Sequence, residues 1–83
     1  MNENLLINSI KDIIEQIEED TTIPKSIKIK IKHVCLLLED SNFTVSVRID
    51  KSLQCLDELE EDPNIPTYTR TQIWEIVSRL ESI

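Results

Sequence analysis

A chain of 83 residues has room for one domain and a modest core. Its 40% hydrophobic and 30% charged residues lie in the globular range, away from disordered composition. A net charge of −7 argues against a dedicated nucleic-acid binder, because phosphate contact relies on an excess of Lys and Arg.

The chain has no glycine and three prolines. Sheets and phosphate loops lean on glycine for positive φ, whereas short helix connections manage without it. An all-α protein is therefore expected. The first residues, Met1 to Asn8, lack the pattern of a secretion signal, and no apolar run approaches the length of a membrane span. The expectation is a soluble, cytoplasmic protein with no membrane contact.

Segment one runs from about Glu3 to Glu19, with Leu6, Ile10, Ile13, Ile14 and Ile17 on one helical face. Asn2 or Asn4 can cap its start. Segment two, about Ile23 to Asp40, is ambiguous. Ser26 to Lys32 alternates apolar and charged residues like a half-buried strand, yet Ile27, Ile31, Val34, Cys35 and Leu38 form a helical stripe. Segment three, about Phe43 to Glu61, offers Val45, Ile49, Leu53, Leu56 and Leu59 as core. Segment four spans about Ile65 to Ser82.

An internal repeat decides segment two. A shift of 42 lays Glu18–Pro24 over Glu60–Pro66 and continues through Ile31 on Ile73, Leu38 on Leu80 and Glu39 on Glu81, with eight identities in 23 positions. The second copy has a plain helical period, so the first is read as a helix. Thr22 and Asn64 are the expected N-caps, each followed by Ile and then Pro in the first turn. Two helix–turn–helix hairpins, about 3–40 and 43–82, are too few for a HEAT-type solenoid. A single four-helix bundle over 1–83 buries all four stripes.

The run Asp62-Pro63-Asn64-Ile65-Pro66, followed by Thr69-Arg70-Thr71-Gln72-Ile73-Trp74, resembles an archaeal family catalogued as uncharacterised protein family 0147. The likeness extends through Leu80-Glu81 and, more weakly, over the first hairpin. Segment three, at Val45 to Lys51, is less alanine-rich than the family's pattern. The resemblance implies a small archaeal helical bundle and no activity, cofactor or site residue.

No catalytic, metal or phosphate-binding constellation rises above background, so a non-enzyme without cofactor or small-molecule ligand is expected. His33 and Cys35, two apart, fall on different helix faces. Cys35 and Cys55 are read as reduced, buried thiols, with a disulfide as the alternative in a hyperthermophile. The carboxylates Asp57, Glu58, Glu60, Glu61 and Asp62 read as a solvated acidic face rather than a metal site.

Charge is uneven: residues 1–23 carry −5, 24–38 carry +4, 39–62 carry −6, and the rest balance. Lys25, Lys28 and Lys32 form a basic stripe, read either as ion pairing to the first helix or as a weak nucleic-acid contact. Ile29, Leu36 and Leu37 make segment two apolar where the second repeat has Thr71, Ser78 and Arg79. A helix apolar all round is covered on both sides, so this stripe is expected to bind a partner or a second copy. Internal cover by the tail at Ile83 or by the first helix is the alternative. Tyr68, Arg70 and Trp74 form a second expected partner edge, with Arg70 in cation–π reach of Trp74. The functional expectation is a protein–protein interaction module that self-associates as a homodimer. The competing one is an RNA- or ribosome-associated accessory factor.

Overall fold

The structure is a computed structural model that describes residues 3–83. Four helices follow one another: α1 (Glu3–Glu19), α2 (Lys25–Glu39), α3 (Val45–Glu60) and α4 (Thr67–Glu81). Each packs on two others, α1 on α2, α2 on α3, α3 on α4 and α4 on α1, so the helices stand in a ring with α2 and α4 on opposite corners. The chain is an all-α four-helix bundle.

Segment two is a helix throughout. The strand-like alternation of Ile27, Ile29 and Ile31 loses to the 3.6-residue stripe, since Ile27, Ile31, Val34 and Leu38 are all buried. The core is strongly isoleucine-rich. Ile7, Ile10, Ile13, Ile14 and Ile17 enter from α1, and Ile73, Ile76 and Leu80 from α4. Leu6 is only half-buried, and Ile7 takes the position expected of it.

Helix α3 departs furthest from expectation. Val45, Ile49 and Leu53 are half-buried, and the fully buried line is Ser52, Leu56 and Leu59. The polar side chains Ser52, Thr69 and Gln72 are buried, and Ser52 Oγ, Thr69 Oγ1 and Gln72 Oε1 have no hydrogen-bond partner within the protein. Burying an unpaired hydroxyl is unfavourable. Ser52→Ala should therefore raise stability by about 1 kcal/mol, read as a higher midpoint in chemical denaturation. A lower midpoint would mean that Ser52 is paired through a bound water.

The three connections are built alike. Asp20, Asp40 and Asp62 each accept, at a side-chain oxygen and at 2.9 Å, the backbone N–H two residues on, from Thr22, Asn42 and Asn64 respectively. Their carbonyls then accept the N–H of Ile23, Phe43 and Ile65. These are aspartate turns, in which a side chain imitates a backbone turn. The pattern includes the connection between α2 and α3, which the 42-residue shift does not relate. Ile23 and Ile65 drop from their turns into the core.

The turns also correct the expected caps. Pro24 and Pro66 are the N-caps of α2 and α4, with no side-chain cap bond. Both prolines are extended (ψ 144° and 148°), so the helix begins one residue later, and Thr22 and Asn64 serve the preceding aspartate instead. Helix α3 alone of these has a side-chain cap, Thr44, whose hydroxyl accepts from Val47 N–H. Asn4 lies inside α1, and Asn2 is outside the described residues.

Candidate interaction surface

At about 100° per residue, the buried Ile27, Ile31, Val34 and Leu38 fix the inward side of α2. Ile29 and Leu36 stand roughly opposite, 62% and 56% exposed. Lys25, Ile29, Lys32 and Leu36 follow one another at spacings of four, three and four, which is a single line along the helix. The lysine stripe and the apolar stripe are thus one surface. Lys25, Lys28, Ile29 and Lys32, with Glu18 from α1, surround a shallow, largely apolar depression of about 330 Å³.

Leu37 does not belong to this surface. It is half-buried in a groove between α2 and α3 with His33, Lys51, Gln54, Cys55 and Glu58. Internal cover of Ile29 and Leu36 is overturned as well. Helix α4 stands diagonally across the core from α2, and Ile83 borders a groove with Val45, Ile49, Leu53 and Leu80 on the α3–α4 side. Glu18 of α1 borders the lysines without pairing with them at contact distance. Among the described residues the ion pair between these helices is Lys11 to Glu39, at 2.8 Å, and Lys25, Lys28 and Lys32 make none.

The second expected edge divides. Arg70, Thr71 and Trp74 line a depression of about 310 Å³ with Glu60, whereas Tyr68 is on the other flank of α4, about 120° away. Trp74 and Tyr68 are 65% and 68% exposed. Arg70 is not stacked on Trp74. Its guanidinium donates to the carbonyls of Glu60 and Asp62 and so closes the end of α3. Among the described residues the cation–π contact is Lys51 over Phe43, at 5.1 Å. Because α4 is diagonal to α2, the exposed aromatics and the lysines lie on opposite sides of the bundle.

Cys35 and Cys55 are half-buried rather than buried, and both are free thiols. Cys35 Sγ donates to Glu39 Oε1 on the α1 side, whereas Cys55 Sγ points to the carbonyl of Lys30, on the opposite flank of α2. They do not face one another for a disulfide. Burial, and then Glu39 or Glu58 beside each, pushes both thiols above their ordinary range. His33, Cys55 and Glu58 do border one groove, a grouping that their spacing in sequence conceals. A nucleophilic thiol needs the opposite shift and a base in hydrogen-bond reach, and Cys55 bonds a carbonyl instead. The Lys11 ammonium holds Glu39 below the usual carboxylate range. Among the described residues no three His, Cys, Asp or Glu side chains are grouped to hold a metal ion, and no helix is long and apolar enough to cross a membrane.

Residues 1–83 match the family described as uncharacterised protein family UPF0147. The chain belongs to UPF0147. A UPF0147 protein of Methanothermobacter thermautotrophicus is 36% identical over 80 residues, covering 96% of this chain and 78% of its own. One from Thermococcus kodakarensis is 35% identical, covering 94% and 95%. A crystal structure described as that of the unknown function protein MMP1188 superposes with a TM-score of 0.94 at 39% identity, over 99% of this chain and 93% of its own. A UPF0147 crystal structure from Thermoplasma acidophilum gives 0.89 at 29%, over 96% and 94%. These relatives share the fold and sequence along nearly the whole of this chain.

Proposed function

We propose that this chain is a non-enzymatic protein–protein interaction module that self-associates through the outer face of α2. One observation carries the reading: Ile29 and Leu36, seven residues apart, are more than half exposed on a face that no other helix covers. Side chains of this size gain about 25 cal/mol for each Å² of apolar surface removed from water. The equivalent positions of α4 are the polar Thr71 and Ser78, so the bundle does not require apolar residues there.

RNA is the second reading, because Lys25, Lys28 and Lys32 rim the same depression. Such a contact would lack base stacking from Trp74, which faces away. The two readings respond differently to salt. Three phosphate contacts give a log–log slope of about −2 to −3, whereas an association led by apolar contact falls off far less steeply with salt.

Sedimentation equilibrium over a wide concentration range is the test. The expected mass rises with concentration from 9.7 kDa towards its double, and Leu36→Lys weakens the association at least about tenfold, or 1.4 kcal/mol, with the helical circular dichroism unchanged. A mass that stays at the monomer throughout sinks the reading. Salt-sensitive binding of a mixed-sequence RNA oligonucleotide by that monomer would establish the alternative.

A further inference from the structure

Resting on the self-association reading, we infer the geometry of the pair: two copies set α2 against α2 antiparallel, about a two-fold axis that passes beside Lys32 and His33. Charge and apolar surface are ordered along the outer face of this one helix. Its first half is cationic, with Lys25, Lys28 and Lys32 outnumbering the Glu18 that borders them from α1, and its end is anionic, with Glu39 and Asp40. A parallel pair would put each lysine against its own copy and each carboxylate against its own copy. Like charges across a contact are unfavourable. An antiparallel pair reverses one gradient against the other and makes them complementary.

The apolar residues fix the register. Ile29 and Leu36 are equally far from a midpoint between positions 32 and 33. A two-fold axis there sets Ile29 of each copy against Leu36 of the other, giving two apolar contacts per pair. The same operation brings the partner's Glu39 and Asp40 to the level of Lys25. Glu39 stands on the same flank of the seam as Lys25 and Lys28, on the helical wheel. Its Oε1 takes Lys11 and the Cys35 thiol of its own chain, and its side chain remains 47% exposed. The second oxygen is therefore available to a lysine from across the axis. Antiparallel helices also set opposite dipole ends together. One feature opposes the pair: Lys32 meets its own copy at the axis, where its long stem must turn the ammonium out to solvent. The contact is one helix pair about 22 Å long, at the small end of specific interfaces, which makes the dimer concentration-dependent.

An exchange between single cysteines discriminates the arrangements. The background is Cys35→Ser with Cys55→Ser, its fold checked by circular dichroism and its dimer mass by sedimentation. Into it go Lys32→Cys and, separately, Lys25→Cys, both on the solvent face. In the antiparallel pair the two copies of position 32 lie beside the axis, within the Cα separation a disulfide spans, while the two copies of position 25 are about 22 Å apart. The expected result under mild oxidation is a dominant covalent dimer from Lys32→Cys and none above background from Lys25→Cys. Efficient crosslinking at position 25 overturns the inference in favour of a parallel pair. A dimeric mass with no crosslink at either position overturns it too, and leaves self-association standing through another surface. A background protein that stays monomeric, as the unsubstituted chain also does, removes both.

Discussion

Leu56→Ala is expected to cost about 3 kcal/mol of stability and to lower the thermal midpoint by about 15 °C, measured by circular dichroism at 222 nm. Leu56 is fully buried in the second half of α3. The cost is at least that for removing a buried leucine whose site can partly collapse, because few large neighbours on its own helix can close the gap. Of the residues that α3 sends fully inward, one is Ser52 and the other large side chain is Leu59. The control is Val47→Ala, on the outer side of the same helix and 38% exposed. That change should move the midpoint by no more than a few degrees. Equal effects from the two would mean that α3 does not pack by the face described.

Arg70→Ala should cost about 1.5 kcal/mol, seen as a lower urea midpoint with an unchanged slope. The last carbonyls of a helix have no partner within it. The Arg70 guanidinium reaches back ten residues to Glu60 and eight to Asp62, and supplies what the end of α3 lacks. Arg70→Lys should recover only part of the loss, since an ammonium lacks the planar fork that spans two acceptors. Stability unchanged by Arg70→Ala would return this residue to the role of a surface contact beside Trp74.

Much of the fold is legible in particular residues. The stripe from Ile10 to Ile17 picks out the buried face of α1, and Ile31, Val34 and Leu38 are enough to outweigh a strand-like alternation. Segment three shows where periodicity fails. Counting apolar residues puts Ile49 and Leu53 at the centre, whereas the buried line runs through Ser52, about 100° from Leu53. A serine in a core carries no hydrophobic signal, so its inward position becomes visible only once the neighbouring helices are in place. Thr69 and Gln72 are concealed for the same reason.

The candidate surface is legible in a different way. Lys25, Ile29, Lys32 and Leu36 share a line that sequence spacing alone contains, but sorting residues by type separates lysines from aliphatics and so divides one face into two. Glu18 and Glu60 give no local signal, because each comes to its depression from a different helix. Tyr68 and Trp74 are near in sequence and apart in space. The aspartates at 20, 40 and 62 are plain in the sequence, but capping preferences favour Thr22 and Asn64, two residues after the first and the last of them.

Those aspartate turns bear on the unfolded chain as much as on the folded one. Among the described residues no backbone φ is positive, so every reversal of direction is made from conformations that ordinary residues adopt without strain. The chain can therefore dispense with glycine altogether and place Pro24, Pro63 and Pro66 around two of its three turns. Each such replacement reduces the conformations open to the denatured ensemble and is worth about 0.4–1 kcal/mol where the native geometry permits it. A small bundle with a modest core is thereby stabilised from the other side of the equilibrium, by an unfolded state with less conformational freedom to lose.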